Sequence, residues 1–250
     1  MPHTPVTGFA PVNGVDMYWE SRGSGDPVVV VHGGFGLTSM FGELLDQLAD
    51  SRRVIAIELQ GHGHTRDTSR PFSFQGFGDD IAGLIEYLGL GQADLLGYSL
   101  GGGASLRCAI QHPGQVRKLA LVSTPCRRDG WFPAVRAGMS QVGRPGFDQM
   151  KRSPMYQAWS QVAPDREAFP ALMDKTGELL RQPYEVKRIT TPTLLVYADA
   201  DSIPPAHAAE FFALLGGGLQ DAGWTDRWPP ACTWLSCRAS RTTTSSAHPS

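Results

Sequence analysis

The sequence predicts an α/β protein with a mostly parallel, doubly wound sheet and an inserted helical segment. Residues 28–31 (VVVV) form a continuous apolar run, which is typical of a strand in a sheet that helices cover on both faces. Further strand-like runs alternate with segments of helical spacing. This alternation stops near residue 124 and resumes near residue 192. A chain of 250 residues therefore suits one well-buried core that carries an insertion.

Each element follows from a local pattern of apolar and turn residues. The helix over residues 74–88 has amphipathic spacing and ends at Gly89, and a serine-containing turn leads into a helix that runs to about residue 111. The other predicted helices cover residues 39–49 and 206–215, and the predicted strands cover residues 15–20, 28–31, 53–59, 93–96, 119–123 and 192–197. We expect a core of residues 1–125 and 189–224, a helical cap over residues 126–188, and an aberrant, disordered tail over residues 225–250.

The composition excludes several classes of partner. A net charge of −2 and a pI near 6.4 give no electrostatic reason to bind nucleic acid or an anionic membrane surface. The longest apolar run, residues 27–31, is too short to span a bilayer, and the N-terminus lacks the basic and apolar stretches of an export signal. Four cysteines without metal-ligand spacing fit a reducing compartment. We expect a cytoplasmic protein that acts on a small molecule; the oligomeric state is left open.

The stretch LLGYSLGGGAS, residues 95–105, contains a candidate nucleophile. Gly97, Ser99 and Gly101 match the pattern G-x-S-x-G between a predicted strand and a predicted helix. Such an abrupt turn forces the serine into a strained conformation, and the flanking glycines remove the clashes that side chains would cause. The free N–H groups at the start of the helix favour developing negative charge. The pattern predicts a nucleophilic serine.

In this order, the motifs resemble those of the serine-type α/β hydrolases with a helical cap, over roughly residues 15–224. The stretch VVVVHGGFG (residues 28–36) is similar to the family's third strand and oxyanion loop, which implies that the N–H groups of Gly34 and Leu100 bind the oxyanion. ELQGHGHT (residues 58–65) is similar to the turn after the fourth strand. YADADSIPP (residues 197–205) resembles the acid turn, with Asp201 as the acid; because Ala198 replaces the usual glycine, Asp199 stays an alternative.

The resemblance also implies a substrate pocket beneath the cap and no cofactor. The candidate lining residues are Phe35, Tyr98, Met139, Met150, Met155 and Trp159. The methionines and Trp159 have an alternative role as the core of the cap. Ser99 stands where relatives that open epoxides or cleave carbon–halogen bonds carry a carboxylate, so acyl transfer is the chemistry that fits.

Other interpretations of these motifs remain open. The glycines at 33, 34 and 36 suit an ordinary loop or a phosphate site, although no lysine follows them. Glu58, His62 and His64 suit a metal site but lack a further placed ligand, so we predict no metal. His32 is expected to be structural, and Asp201 has the alternative role of capping the next helix.

The histidine of a triad is missing from its expected place. In the family's order of serine, acid and histidine, only His207 and His248 follow Asp201. His207 lies just inside the helix after the acid turn, and His248 lies two residues from the end. The tail TDRWPPACTWLSCRASRTTTSSAHPS lacks the apolar pattern of an eighth strand and a final helix, so we expect both to be missing.

A shifted reading frame is one explanation of this tail. With GC-leaning codons, the shifted codons from residue 231 onward permit LHLAVLPGLTHYDIF, which contains a strand, a Pro-Gly turn and a histidine across the codons of Arg241 and Thr242. Shifted Ser, Cys and Trp codons always give apolar residues, so part of this pattern is automatic, and a divergent tail is the alternative. The sequence thus predicts a serine hydrolase impaired by the lack of its base; a non-catalytic binder of a small ligand or partner, or a damaged product without function, are the alternatives.

Overall fold

An eight-stranded sheet is the framework of the part of the chain that the computed structural model describes, residues 3–184, 186, 189–218 and the backbone of 233–237. Its strands are β1 (Val6–Val12), β2 (Val15–Arg22), β3 (Pro27–Val31), β4 (Arg53–Ile57), β5 (Ala93–Tyr98), β6 (Val116–Val122), β7 (Thr193–Ala198) and β8 (Thr233–Cys237). They lie in the order β1-β2-β4-β3-β5-β6-β7-β8. The first two strands are antiparallel to their neighbours, and all other pairs are parallel. The predicted mostly parallel α/β sheet is confirmed.

Eight α-helices accompany the described strands. They are α1 (Leu44–Ala49), α2 (Phe74–Tyr87), α3 (Leu100–Gln111), α4 (Pro133–Ser140), α5 (Phe147–Met150), α6 (Pro154–Val162), α7 (Phe169–Arg181) and α8 (Pro205–Leu214). Helices α4 to α7 lie between β6 and β7 in the chain, within the segment predicted as a cap, which we call the cap segment (residues 126–188). None of the described helices is long and apolar enough to cross a membrane.

The valine run of β3 is apolar throughout because both of its faces are covered. Val29 and Val31 belong to the main core, together with residues of α2 and α3. Val28 and Val30 point to the opposite face and pack in a second cluster with α1. β3 therefore lies in the interior of the sheet, where its carboxyl end holds the loop that follows in a fixed place.

Two differences from the sequence prediction lie in the first fifty residues. β1, which the sequence analysis did not predict, pairs with β2 at the sheet edge, and its alternating exposed and buried residues carry too few apolar side chains for a clear signal. The helix predicted over residues 39–49 is two elements, a 3₁₀ turn over Thr38–Phe41 and helix α1. Gly42, with φ of +52°, separates them because a helix cannot continue through that conformation.

The expectation that the eighth strand is missing is wrong. The backbone of residues 233–237 forms β8, which pairs in parallel with β7 from Leu194 opposite Thr233 to Ala198 opposite Cys237. Without β8, strand β7 would be the edge of the sheet, with unpaired N–H and C=O groups. The residues Thr233 and Trp234 are of types that favour strands. A strand that pairs through its backbone at the edge of a sheet therefore needs fewer apolar side chains than an interior strand. The predicted absence of a final helix, and the predicted disorder of the rest of the tail, fall on residues outside the described part.

Candidate active site

The turn from β5 to α3 holds Ser99 in a left-handed conformation, with φ of 52° and ψ of −114°. A side chain at Gly97 would place its Cβ 2.5 Å from the Gly101 carbonyl oxygen, and one at Gly101 would approach the His32 carbonyl oxygen to 2.3 Å. Both glycines are therefore required by close backbone packing. Ser99 is half-buried and lines a pocket, so its side chain is not enclosed in the core. The predicted strand–serine–helix turn is present.

The loop after β3 lies directly beside this serine. A Cβ on Gly33 would be 3.4 Å from Ser99 Cβ, and a Cβ on Gly34 would be 3.6 Å from Leu100 Cδ1. Leu100 is the first residue of α3, so its N–H has no partner within the helix. The two residues predicted to bind an oxyanion are thus brought together beside Ser99.

His32 holds this loop in place through two hydrogen bonds. Its Nδ1 bonds to the Gly33 carbonyl at 2.7 Å, and its Nε2 accepts the Leu59 N–H at 3.1 Å. These partners define a neutral ring with the proton on Nδ1. Burial lowers the pKa of His32, which keeps the ring neutral. His32 is structural in this arrangement, as the resemblance implied.

Glu58, His62 and His64, the alternative metal site, do not converge on one point. His62 Nδ1 bonds to the Gln60 carbonyl at 3.0 Å, whereas His64 Nδ1 bonds to Glu58 Oε2 at 2.9 Å. Burial alone would raise the pKa of Glu58, but the hydrogen bonds from His64, together with electrostatic interaction with His32 and His64, lower that pKa. Among the described residues, no three His, Cys, Asp or Glu side chains are grouped so as to bind one metal ion.

Asp201 lies at the carboxyl end of β7 and is held by four donors. Its Oδ2 accepts the Ser123 hydroxyl at 2.6 Å and the Ala198 N–H at 3.3 Å. Its Oδ1 accepts the Ser202 hydroxyl at 3.3 Å and the Ile203 N–H at 3.2 Å. The helix-capping alternative is wrong for Asp201, because Pro204 occupies the N-cap position of α8 and no side chain caps that helix. The competing candidate, Asp199, is exposed.

Backbone hydrogen bonds join the serine end to the acid end. The Ser99 N–H donates to the Val122 carbonyl at 2.9 Å, and the Ser123 N–H donates to the Val196 carbonyl at 3.0 Å. The ends of β5, β6 and β7 are therefore in register. Two strand spacings, roughly 10 Å, separate β5 from β7. Such a gap has to be filled by an imidazole if Asp201 is to act on Ser99.

No histidine in the described part of the chain has a hydrogen bond to Ser99 or to Asp201. His207, near the start of α8, is buried, and its Nε2 accepts the Cys126 N–H at 3.1 Å. Burial, and next the Arg127 charge, lower the pKa of His207. His207 thus holds the start of the cap segment rather than the serine. The other candidate, His248, lies outside the described residues.

The pocket beside Ser99 has mostly apolar walls from α3 and from both ends of the cap segment. Its lining residues are Phe74, Ser99, Leu100, Gly103, Thr124, Pro125, Arg128, Trp131, Leu179, Leu180, Gln182 and Tyr184. Phe74 and Tyr184 are in ring contact at 4.8 Å between centroids. Most of these residues could not be predicted from the sequence because they lie far apart in the chain. Two of its proposals, Ser99 and Leu100, do line the pocket.

The six residues proposed to line the pocket have other surroundings in this structure. Phe35 is buried against Phe169 of α7, with ring centroids 5.8 Å apart. Trp159 is buried, and its Nε1 donates to the Gly61 carbonyl at 3.1 Å. Tyr98 is 47% exposed, with its ring close to Gly33. Met150 and Met155 pack against the main core, and Met139 is partly exposed on α4.

Comparison with known proteins agrees with this geometry. A family model described as alpha/beta hydrolase fold matches residues 26–144. The 2-hydroxymuconate semialdehyde hydrolase of Pseudomonas sp. (strain CF600) is 33% identical over 145 residues, which is 56% of this chain and 50% of that protein. The pimeloyl-[acyl-carrier protein] methyl ester esterase of Nitrosomonas europaea is 26% identical over 216 residues, 77% of this chain and 84% of that protein. The match spans about half the length of several curated relatives, including the 2-hydroxymuconate semialdehyde hydrolase.

A solved structure extends the likeness over most of the fold. The 2-hydroxy-6-oxo-6-phenylhexa-2,4-dienoate hydrolase from Rhodococcus sp. strain RHA1 superposes with a TM-score of 0.69, at 16% identity, over 94% of this chain and 91% of that chain. At this identity the likeness concerns the fold alone. Together with the family match over residues 26–144 and the strained serine turn, it shows that the chain has the α/β-hydrolase fold.

Proposed function

We propose that this protein is a serine hydrolase that cleaves a small ester, lactone, thioester or amide through an acyl-enzyme. The observation that carries this proposal is the strained conformation of Ser99 beside Gly34 and Leu100. The printed names of the relatives, which include a methyl ester esterase and a semialdehyde hydrolase, favour hydrolysis of a small molecule. A cytoplasmic location belongs to the same proposal.

In this reaction the Ser99 oxygen attacks the substrate carbonyl carbon. The hydroxyl proton passes to a base, and the carbonyl oxygen becomes an oxyanion that the N–H groups of Gly34 and Leu100 bind. Collapse of this intermediate breaks the bond to the leaving group, which takes up a proton, and leaves an ester on Ser99. Water then attacks that ester and releases the acid, restoring the serine.

The chain as written is proposed to be impaired in the first step. The hydrogen bonds of the described histidines are made elsewhere, so none of them takes the Ser99 proton in this structure. Loss of a triad member lowers rates by factors on the order of 10⁴ to 10⁶. The shifted reading frame would explain the loss. Reading the nucleotides that encode residues 223–250 in all three frames tests this explanation. If neither of the other two frames encodes strand-like residues followed by a histidine, the shifted frame is contradicted.

The experiment on activity compares p-nitrophenyl acetate turnover by the wild type, Ser99→Ala and Ser105→Ala. Ser105 is a buried serine of the same helix and serves as the matched control. We expect slow turnover that Ser99→Ala removes and Ser105→Ala preserves. Fast, Ser99-dependent turnover would disprove the impairment, and turnover equal in all three proteins would disprove the nucleophile.

A second candidate function is a non-catalytic binder of a small ligand. It is favoured by the fully bonded Asp201 carboxylate and by the absence of a described imidazole next to it. A fluorophosphonate probe separates the two functions, because it forms a bond only with an activated serine. Slow labelling of Ser99 supports the impaired enzyme, whereas ligand binding without any labelling supports the binder.

A further inference from the structure

The ring of His207 joins helix α8 to the first residues of the cap segment. Its Nε2 accepts the Cys126 N–H at 3.1 Å and lies 3.4 Å from Cys126 Sγ. A Cβ on Gly130 would be only 2.3 Å from the same nitrogen, so the backbone of the cap segment packs directly on the ring. His207 is 5% exposed and Cys126 is 2% exposed. The hydrogen bond is therefore a connection between α8 and the start of the cap segment that is shielded from water.

This connection bears on both ends of the cap segment, because the two ends pair with each other. The Cys126 carbonyl accepts the Val186 N–H at 2.7 Å, and the Arg128 N–H donates to the Tyr184 carbonyl at 2.9 Å. Arg128 and Tyr184 also line the pocket beside Ser99. A shift of the Cys126 backbone away from α8 would therefore disturb two walls of that pocket.

The connection requires a His207 ring without a proton on Nε2. A backbone N–H only donates, so the nitrogen that accepts it must carry a lone pair, and the neutral ring then has its proton on Nδ1. A second proton would make Nε2 a donor that faces the Cys126 N–H, and the only other atom beside it is the sulfur of Cys126, a weak acceptor. The N–H would be left buried without an acceptor, which is unfavourable. Protonation of the ring and the hydrogen bond thus exclude each other.

The charged groups that face the ring come from the cap segment and from α8. Arg127 is ion-paired with both Asp129 and Glu210, and Glu210 Oε2 lies 3.6 Å from His207 Nδ1. The Cys126 thiol is neutral, because burial raises its pKa to about 11. Burial, and next the Arg127 charge, lower the pKa of His207, while the two carboxylates oppose this shift. The connected arrangement therefore holds the ring neutral, whereas a ring released to water has its ordinary pKa of 6.5.

We propose that His207 is a pH-sensitive latch on the base of the cap segment, and that protonation of its Nε2 releases the Cys126 backbone from α8. The latched state binds this proton less tightly than the released state does. The stability of the latch is therefore fully present above about pH 6.5 and is lost as the pH falls below that value. Acid thus loosens the pocket walls that the cap segment supplies. The latch goes beyond the proposed function, since it does not depend on whether Ser99 is a nucleophile.

The test follows hydrogen exchange of single N–H groups by NMR from pH 8 to pH 5, with each rate divided by the intrinsic rate of that amide at the same pH. The Cys126 and Val186 N–H groups report the latch. The Leu119 N–H, which donates to the Pro192 carbonyl at 2.9 Å in the sheet, reports any loss of stability of the whole fold. Below pH 6.5 we expect the protection of the Cys126 and Val186 N–H groups to fall, relative to that of Leu119, by up to about tenfold per pH unit.

Two variants separate the proton from the hydrogen bond. His207→Gln offers the Cys126 N–H an amide oxygen that does not titrate, so its relative protection should be the same at pH 8 and pH 5. His207→Leu offers no acceptor, so its relative protection should be low at both pH values. His112→Gln is the matched control, because the His112 ring bonds to Asp79 at 2.8 Å and touches neither α8 nor the cap segment. This variant should keep the full wild-type dependence on pH.

The comparison of amides within the wild type decides the proposal even if a variant does not fold. Parallel loss of protection at Cys126 and Leu119 would overturn the latch, because acid would then act on the whole fold. A fall of unchanged size in His207→Gln would also overturn it, since another group would carry the proton. Loss of the pH dependence in His112→Gln would assign the titration to His112 and overturn the role of His207.

Discussion

At the serine end of the candidate site, the backbone itself sets the geometry; at the acid end, side-chain hydrogen bonds do. Ser99 is forced into its strained turn by β5, α3 and two glycines in close backbone contact. Asp201 instead depends on donors from Ser123, Ser202 and nearby N–H groups. His207, on the helix that follows Asp201, accepts a hydrogen bond from Cys126 at the start of the cap segment. The serine turn can therefore form without any contribution from the side chains at the acid end.

The first prediction concerns the glycines of the serine end and has the largest expected effect at neutral pH. Gly101→Ala would place a methyl group 2.3 Å from the His32 carbonyl oxygen, which the backbone cannot relieve without moving β3 or α3. We expect unfolding in urea to show a loss of about 3 kcal/mol. The control is Gly138→Ala in α4, where a Cβ meets nothing within 4 Å and where alanine favours the helix. Equal stability of both variants would show that close backbone packing does not require a glycine at position 101.

The second prediction concerns acid sensitivity at the serine end. Burial, and next the repulsion that a protonated His32 would exert, lower the pKa of His62 from 6.5 to about 3, so the folded state holds this ring neutral. The unfolded chain binds a proton there below about pH 6.5, and the stability that the neutral ring contributes is present above that pH and lost as the pH falls toward 3. The loss approaches about 1.4 kcal/mol per pH unit for one proton.

The variant His62→Gln should remove this part of the pH dependence. We expect its free energy of unfolding, measured in urea from pH 8 to pH 4, to fall less steeply than that of the wild type. The difference between the proteins at pH 8 gives the direct cost of losing the ring and serves as the internal control. Parallel curves over the whole range would contradict the assignment of a neutral buried His62.

The third prediction tests the acid end and has the smallest expected effect. Ser123→Ala removes the 2.6 Å bond to Asp201, and we expect a loss of about 1.5 kcal/mol in the free energy of unfolding. Ser202→Ala removes the longer 3.3 Å bond to the same carboxylate and should cost about half as much. If Ser202→Ala proves the more harmful of the two, Ser123 does not hold the acid as described.

Much of the fold could be predicted from local patterns, and the exceptions have a common cause. The valine run, the amphipathic α2 and the G-x-S-x-G turn each carry a strong signal within one short stretch. β1 and β8 lie at the edges of the sheet, where a strand needs fewer apolar side chains. Edge strands are therefore predicted less well than interior ones from periodicity alone.

The site shows the same division between near and distant residues. Motif order indicated Ser99, Gly34, Leu100 and Asp201, because each motif defines the local conformation of its own residue. It did not indicate Ser123, which a serine ending the apolar run LALVS could have suggested, nor Arg128 and Tyr184, which carry no motif. These three reach the site from β6 and from the cap segment.

By itself the sequence determined the parallel sheet and the serine turn, since both follow from steric and apolar patterns within a few residues. Only the tertiary structure decided which groups surround that turn. The orientation of His207 toward Cys126, the bond between Ser123 and Asp201, and the bond between Arg128 and Tyr184 depend on how separate elements pack. Contacts between residues far apart in the chain are set by the whole packed fold, whereas the chain's local conformation is set by its nearest neighbours.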